Sequence, residues 1–434
     1  MNLFKKRNVD VSNNHRVLGE WRAVVFFLVM TIFLTWPLMN HLDAFVISQV
    51  YPSAAHSDLA WHLEMLQEAK TAFWHAQNPL MLSMWEVSAL YLLVGIPFLS
   101  VGMQAIVFHN LFFLAVLFCT GFFMYLFVNE LLRSDSAGLV AGFAYMSSSY
   151  IIYAYDWGHA HTIQIQFIPL IFLFIERILR SPSPRISDSL KLGVVLLCQV
   201  LAVSQTTVYL TFFIPLWLAF RLLLNRAHGI VQKRRMVAQL RILGFAFIFG
   251  LLLCAPFLYL KLNTSTVIRT LEENSRRYWI LESWREFLTV GGSLHPGVIP
   301  LILGLGGIAM LLWRQKLPGI ALNFRESLGY LAIMVVSFFC MFGPVAVWLP
   351  YTWLYQFWPL VNHFRVPSRT FPIFLFALAL FTAVGFLWIT ENRILKVHRF
   401  AIAIAIILLM VTSQVLISPW WRDVHLVMGP FPYP

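Results

Sequence analysis

Acid–base chemistry is first suggested by a polar stretch, "HSDLAWHLEML" at positions 56–66. Asp58 and His62 are four residues apart, so a helix would place them on one face, where the imidazole could orient the carboxylate. Asp58 could then serve as a general base or as a metal ligand. Ser57, however, is a good helix N-cap, and the helix dipole favours an acid in the first turn. Asp58 is therefore open to a catalytic and to a capping interpretation.

A second cluster of ionisable side chains ends an apolar segment, in "YAYDWGHAH" at positions 153–161. Asp156 and His159 would lie at the edge of the hydrocarbon, where ionisable groups are costly unless they have partners or a function. Both are candidates for acid–base or supporting roles in a site. His159 and His161 are spaced two apart, which fits a hydrogen-bonded cluster better than a metal site. No cofactor is predicted, and a divalent metal stays the alternative.

Four arginines in two polar segments could bind a phosphate, because the planar guanidinium pairs well with phosphate oxygens. They are Arg276, Arg277, Arg365 and Arg369. The last two come shortly before an apolar segment, on the side of the membrane where positive charge is otherwise scarce. A phosphate ligand, a contact with lipid headgroups, and an ion pair with Glu272 or Glu282 all stay open for these arginines.

These residues belong to a chain whose composition is typical of a membrane protein. Of 434 residues, 59% are hydrophobic and 12% are charged, and apolar runs reach the roughly 20 residues that a helix needs to cross a bilayer. Backbone hydrogen bonds must close within each spanning segment, so the predicted fold class is an all-α polytopic membrane protein. Hydropathy predicts about 11 transmembrane helices. They begin near Trp21, Val107, Ala137, Ile163, Leu190, Thr206, Ile242, Val298, Leu328, Phe371 and Phe400.

The first long loop, 40–90, is predicted to contain amphipathic helix. Leu63, Leu66 and Phe73 recur at helical spacing, which indicates a helix that lies on the outer leaflet. The segment Leu90–Gln104 that follows is apolar but contains glycine and proline. It is therefore predicted to be a broken or re-entrant piece at the membrane surface.

Lysine and arginine set the predicted orientation. Most of the 31 Lys and Arg fall in the N-terminal tail and in short connectors on one side of the membrane, while the long loops lie opposite. The N-terminus is then cytoplasmic and the C-terminus outside, in a cytoplasmic (inner) membrane. This explains the basic charge, so nucleic-acid binding is not predicted. The predicted organisation is a cytoplasmic tail (1–20), a transmembrane module (21–417) with outside loops 40–90, 261–296 and 348–370, and an outside tail (418–434).

Taken together, these segments resemble bacterial membrane proteins of the GT-C glycosyltransferase superfamily. The resemblance runs in order along most of the chain. It rests on "SDLAWHLEML" followed by "NPL", on the Gly-rich segment that leads to Gly158 and His159, on "HPGVIPLILGLGGI", and on the Arg-x-Pro-x-Arg pattern in "FRVPSRTF". The collinear order is more specific than any one of these motifs.

The resemblance implies a GT-C-like fold and the use of polyprenyl-phosphate-linked sugars. It implies that Asp58 matches the catalytic acid of the first outside loop and that His159 belongs to a matching Gly-His pair. It further implies that Arg365 and Arg369 lie in the matching arginine segment. The implied partners are a polyprenyl-phosphate sugar donor, membrane lipids, and a glycan or protein acceptor.

Two functions from different classes stay open at this point. The first is an inverting transferase at the outer face, in which Asp58 takes a proton from an acceptor hydroxyl while arginines and His159 stabilise the lipid phosphate. The second is a non-catalytic protein that kept the fold: a lipid-linked-sugar flippase, a transporter or a structural subunit. Transporters commonly carry ionisable residues in mid-span and paired broken helices. The acids here cluster outside the spans, which favours the transferase.

Overall fold

The computed structural model describes most of the helical part of the chain. The described residues are 19–36, 38–40, 42–43, 45–48, 58–75, 88–156, 159, 162–224, 230–264, 287, 294–314, 322, 324–345, 348–358, 361, 366–391, 395, 397–417 and 425–428.

Within these residues the architecture is a bundle of helices with one short pair of strands. The helices are α1 (19–34), α2 (Asp58–Trp74), α3 (Ala89–Ser100), α4 (Ala105–Leu132), α5 (Asp135–Met146), α6 (Ser149–Asp156), α7 (Phe167–Arg180), α8 (Ile186–Ala202), α9 (Ser204–Leu224), α10 (Ile230–Thr264), α11 (Val298–Arg314), α12 (Phe324–Cys340), α13 (Pro350–Phe357), α14 (Phe371–Ile389) and α15 (Arg399–Ile417). The strands are β1 (Phe45–Ser48) and β2 (His425–Met428).

Helix α14 lies at the centre of the bundle. Every residue from Phe371 to Leu387 is buried. An all-apolar helix could also face lipid, but here protein surrounds it, because α4, α5, α7, α11 and α12 all contact α14. Arg369 comes two residues before this helix, so the most enclosed element of the fold fixes its position.

Helices α11 and α14 cross at very short range because both carry glycine at the crossing. A Cβ atom on Gly385 would collide with the carbonyl oxygen of Leu303, and one on Gly307 would collide with the carbonyl oxygen of Phe381. The Thr382 hydroxyl donates to a backbone carbonyl of α11 at 2.9 Å. Small residues at a close crossing are typical of helices packed in a membrane.

Several helices have the length and composition of membrane spans. Four described helices are long and apolar enough to cross a bilayer, namely Ala105–Leu132, Gln205–Leu224, Arg234–Tyr259 and Pro367–Ile389. Shorter apolar helices occupy Ala89–Ser100, Val298–Trp313 and Arg399–Ser413. The chain is therefore a multi-pass membrane protein. A helix lies at or near each predicted start of a span, but the number of spans, about eleven, stays a prediction.

A largely buried ion-pair network occupies one end of the bundle. Glu176 on α7 accepts hydrogen bonds from Arg180 at 2.9 Å and from Arg221 at 3.2 Å. Glu326 on α12 pairs with the same two arginines at 3.1 and 2.7 Å. The Tyr330 hydroxyl donates to the second oxygen of Glu176 at 2.9 Å. Two acids and two arginines balance, so the network adds no net charge to an apolar bundle.

The two ends of the bundle are named here by what they hold. The network end carries Glu176, Arg221 and Glu326, where α7, α9 and α12 meet. The site end is the opposite one, where His62 and Arg369 lie. The topology predicted from Lys and Arg puts these ends of α7, α9 and α12 together on the cytoplasmic side, and the structure brings them together.

At the site end, α2 packs on α3 and α4. Leu66 is buried with Tyr91 of α3, and Leu63 is buried with Ile106 of α4, while Phe73 is 52% exposed. The prediction that this face of α2 lies on the outer leaflet is therefore wrong for Leu63 and Leu66, because protein covers them. Helix α3 has 12 residues and spans about 18 Å, which is too short to cross a hydrocarbon core of about 30 Å.

Strands β1 and β2 form an antiparallel pair in which Phe45 lies opposite Met428. This ribbon is a small departure from the predicted all-α fold. β1 belongs to the first long loop and β2 to the C-terminal tail, so the pairing puts these two segments at the same end of the bundle. β1 also contacts α4 and α6.

Candidate functional site

Asp58, the predicted catalytic acid, is the first residue of α2. Its side chain lies outside the described part of the structure. One turn later, His62 is only 1% exposed, and its ring lies 6.5 Å from that of Tyr91 and 5.2 Å from that of Trp61, measured between centroids. His62 therefore fixes the turn after Asp58 against α3.

A second buried histidine, His109 on α4, lies within electrostatic reach of His62. The Tyr91 hydroxyl is 3.2 Å from Nδ1 of His109, and the amide of Asn110 donates to the Leu42 carbonyl at 2.9 Å. His109 was not among the predicted site residues. A polar His-Asn pair inside the apolar run "VFHNLFF" was the signal that could have identified it.

The second predicted cluster lies where α6 ends. Asp156 is the last residue of α6, and its side chain lies outside the described part of the structure. His159 is half-buried, and its backbone N–H donates to the Ala154 carbonyl at 2.8 Å. Its own carbonyl accepts from the Thr162 hydroxyl at 3.1 Å. The hydrogen-bonded turn therefore holds the His159 backbone directly after α6.

Arg369 lies in a short 3₁₀ turn, Pro367–Thr370, that leads into α14. Two hydroxyl groups hold this turn in place. Thr370 donates to a backbone carbonyl of α12 at 3.1 Å, and Tyr209 donates to the Val366 carbonyl at 3.3 Å. Arg369 itself is half-buried. The position of its backbone is thus set by α9, α12 and α14 together.

Two buried tyrosines lie within electrostatic reach of the Arg369 guanidinium, Tyr150 on α6 and Tyr209 on α9. The Tyr209 hydroxyl already donates a hydrogen bond to the Val366 carbonyl. The Tyr150 hydroxyl is buried and has no hydrogen-bond partner among the described residues. A guanidinium beside a hydroxyl group can hold an oxyanion by charge and by hydrogen bonding. Neither tyrosine was predicted from the sequence.

His295 connects the start of α6 to the same region. Its carbonyl accepts from the Ser149 hydroxyl, and its Nδ1 donates to the Phe287 carbonyl at 2.9 Å. A carbonyl only accepts, so Nδ1 carries the proton and Nε2 is an acceptor. Burial lowers the pKa of His295, which the bond to Phe287 partly opposes, so the ring is neutral at pH 7. The rings of Phe287 and Tyr150 both lie beside Phe371, at 6.4 and 6.0 Å.

The other predicted phosphate-binding arginines lie outside the described residues. They are Arg276, Arg277 and Arg365. Among the residues that the structure describes, no three side chains of His, Cys, Asp or Glu come together as a metal site would need. Chemically, the described site offers one cation, hydroxyl groups and imidazole rings.

Comparison with known proteins supports the fold. No protein-family model matches the sequence, and no curated protein does. Over 84% of its length the chain is similar to the crystal structure of ArnT from Cupriavidus metallidurans bound to undecaprenyl phosphate, with a TM-score of 0.50 and 12% identity. The chain covers 60% of that chain's length. ArnT is a GT-C glycosyltransferase, so the predicted resemblance is confirmed at the level of the fold.

Proposed function

We propose that this chain, which has the fold of a GT-C glycosyltransferase, transfers a sugar from a polyprenyl-phosphate-linked donor to an acceptor hydroxyl at the outer face of the cytoplasmic membrane. The observation that carries the proposal is Arg369, which lies at the start of the central helix within electrostatic reach of the buried Tyr150 hydroxyl. This arrangement suits the phosphate of a lipid-linked donor. ArnT, which shares the fold, binds undecaprenyl phosphate.

In the proposed reaction Asp58 is the general base. The acceptor hydroxyl loses its proton to the Asp58 carboxylate while its oxygen attacks the anomeric carbon from the face opposite the phosphate. The bond from the anomeric carbon to the phosphate oxygen breaks, and the polyprenyl phosphate leaves with the electron pair. The configuration at the anomeric carbon is therefore inverted.

Arg369 stabilises the charge that develops on the leaving phosphate, with the Tyr150 hydroxyl as a second donor. Arg365 and His159 are further candidates for this role. His62 acts through position, because it packs the first turn of α2 against α3 and so holds Asp58 in place. An arginine remains charged at any working pH, so the phosphate contact needs no proton transfer.

The alternative is a non-catalytic membrane protein, such as a flippase or transporter. Alternating access would require the network end to open. At that end Glu176, Arg221 and Glu326 join α7, α9 and α12 by partly or fully buried ion pairs, and such pairs are costly to separate. The buried hydroxyl of Tyr150 and Nε2 of His295 lie at the other end. Ion pairs that hold the network end together, and buried polar groups at the site end, favour an enzyme that acts at a single face of the membrane.

Binding of polyprenyl phosphate to the purified protein in nanodiscs tests the phosphate site. Arg369→Ala is expected to weaken binding by about 10- to 100-fold, since a hydrogen bond to a charged group contributes roughly 1.5–3 kcal/mol. Arg325→Ala is the matched control, because Arg325 is exposed at the network end. Equal affinity of Arg369→Ala and the wild type would remove the observation on which the proposal rests.

A second measurement separates the two functions. Vesicles containing the protein are supplied with polyprenyl-phosphate glucose, and released polyprenyl phosphate is measured. A transferase is expected to cleave the donor, using water as a slow acceptor. Movement of intact donor between leaflets without cleavage would support a flippase instead.

A further inference from the structure

A group of buried neutral side chains at the site end has no place in the reaction described above. We call Gln199, Gln205 and Thr206 the amide patch. Gln199 and Thr206 are fully buried, and Gln205 is 8% exposed. Both amide atoms of Gln199, Oε1 of Gln205 and the Thr206 hydroxyl are enclosed without a hydrogen-bond partner among the described residues.

Enclosed polar atoms without partners cost a protein stability, and native structures hold few of them. Here four such atoms lie within two adjacent helical turns, on either side of the α8–α9 junction. Packing alone does not explain them, because leucine or methionine would fill the same space without that cost. Groups of this kind are expected where a ligand completes their hydrogen bonds.

The amide patch adjoins the Arg369 site through α9. Gln205 and Thr206 lie four and three residues before Tyr209, so the three side chains share one face of the helix. Tyr209 in turn lies within electrostatic reach of Arg369. Gln199 belongs to α8, and its backbone carbonyl accepts a hydrogen bond from the Thr207 hydroxyl at 3.1 Å. Gln205 and Thr206 are therefore about one helical turn from Tyr209, which donates a hydrogen bond to the Val366 carbonyl beside the turn of Arg369.

The chemistry of the patch indicates its ligand. Each amide offers a donor and an acceptor, and a threonine hydroxyl can act as either. Such groups pair well with hydroxyl groups, and the patch lacks the positive charge that favours a phosphate and the negative charge that favours an ammonium. The nearby guanidinium of Arg369 further disfavours a cationic ligand.

We infer that the amide patch binds the hydroxyl groups of the donor sugar while Arg369 holds its phosphate, so that the site selects an uncharged sugar over an amino sugar. This inference rests on the proposed function. It assigns Gln199 and Thr206 to substrate specificity, and it explains why polar atoms are retained in the buried α8–α9 junction.

The test uses substitutions that keep side-chain shape. Gln199→Met and Thr206→Val remove the polar atoms at nearly constant volume. Gln239→Met is the matched control, because Gln239 is buried at the network end, where its amide donates to the carbonyls of Leu179 and Ser181 at 2.8 and 2.9 Å. The probes are polyprenyl phosphate, polyprenyl-phosphate glucose and polyprenyl-phosphate glucosamine, bound to the protein in nanodiscs.

The wild type is expected to bind the glucose-bearing lipid about tenfold more tightly than polyprenyl phosphate, and more tightly than the glucosamine-bearing lipid. Gln199→Met and Thr206→Val should lose this preference and keep the affinity for polyprenyl phosphate. Their ligand-free melting temperature should stay the same or rise, since enclosed atoms without partners are removed. Gln239→Met should show the opposite pattern, with lower stability and unchanged affinities.

The outcomes separate the inference from the function on which it rests. If both patch variants keep the preference of the wild type, or if the wild type binds polyprenyl phosphate and its glucose derivative equally, the inference is overturned and the phosphate site stands. If the wild type binds none of the lipids, the proposed function fails and the inference fails with it.

Discussion

Asp58 has two possible roles, and they make different demands on its carboxylate. In the capping interpretation Asp58 is an acid in the first turn of α2, where its charge contributes only about 0.3–1 kcal/mol through the helix dipole, so asparagine should cost little stability. A general base must take up a proton, which an amide cannot do. Asp58→Asn is therefore expected to leave the melting temperature close to that of the wild type and to lower sugar transfer by about 10²- to 10⁴-fold.

The control for Asp58→Asn is Glu64→Gln, since Glu64 is an exposed acid on the same helix. Transfer is measured in membranes with a polyprenyl-phosphate sugar, and stability by thermal unfolding. A stable Asp58→Asn variant with full transfer would leave Asp58 as a capping residue only.

At the residue scale, the sequence could identify groups that a local pattern marks. Asp58 and Arg369 were predicted in this way, from the resemblance of their motifs, and their roles stay a prediction. Tyr150, Tyr209 and His295 were not, because each lies near the end of an apolar segment and looks like an ordinary interface residue. The electrostatic reach of Arg369 to the two tyrosines, and the bond between His295 and α6, depend on how separate helices pack, and no local pattern carries that information.

Among the helices, the α11–α14 crossing gives a sharp test of packing. Gly385→Ala would place a methyl group against the Leu303 carbonyl, which belongs to a backbone that cannot move aside cheaply. We expect a loss of at least about 1–3 kcal/mol in the free energy of unfolding. Thermal unfolding in detergent measures it.

Gly306→Ala is the matched control for this crossing. The nearest atom to a Cβ at Gly306 is in the Trp388 ring at 3.8 Å, an ordinary contact. Alanine also favours the helix by about 1 kcal/mol over glycine, so this variant should be as stable as the wild type or more so. If Gly385→Ala were as stable as Gly306→Ala, the inference that α11 and α14 cross at such short range would be wrong.

The network end gives a second test among the helices. Glu176→Met leaves Arg180 and Arg221 with Glu326 as their shared acid, and it removes the acceptor of the Tyr330 hydroxyl. We expect the free energy of unfolding to fall by roughly 3–5 kcal/mol, as when a buried pair loses one partner. Glu68→Gln, at an exposed acid of α2, is the control.

The double variant Glu176→Met/Arg221→Met restores the charge balance of the network, because Arg180 and Glu326 remain paired. It should therefore be more stable than Glu176→Met alone. A double variant that is less stable than the single one would show that shape, and not charge balance, holds this end together.

The helices were predictable where the bilayer dictates them, since long apolar runs have few alternatives to a helix. The leaflet prediction for α2 was wrong because amphipathicity identifies a buried face without telling lipid from protein, and here α3 and α4 cover Leu63 and Leu66. The β1–β2 ribbon was not predicted, because Phe45–Ser48 and His425–Met428 are short and lie at opposite ends of the chain.

For the molecule as a whole, the difference between its two ends is the main functional feature. Balanced ion pairs join helices at the network end, while Arg369, Tyr150 and the amide patch lie at the site end. Pairing of β1 with β2 also ties the first long loop to the C-terminal tail at one end. The orientation predicted from Lys and Arg turns the site end toward the outside.

Cysteine labelling with a membrane-impermeant maleimide tests this orientation. Glu64→Cys lies on an exposed position of α2, and Arg325→Cys on an exposed position at the network end. The native cysteines set the background, because Cys254 and Cys340 are buried and the other two are half-buried. Glu64→Cys is expected to react in intact cells, and Arg325→Cys only in inverted vesicles.

The reverse labelling pattern would leave the fold untouched but place Asp58 and Arg369 at the cytoplasmic face. The site would then bind sugar donors and acceptors from the cytoplasmic side, and the proposal of transfer at the outer face would be wrong. Labelling of both positions from one side would instead contradict the separation of the two ends along α4, α9 and α14. The expected pattern would place the site end outside, as transfer from a lipid-linked donor at the outer leaflet requires.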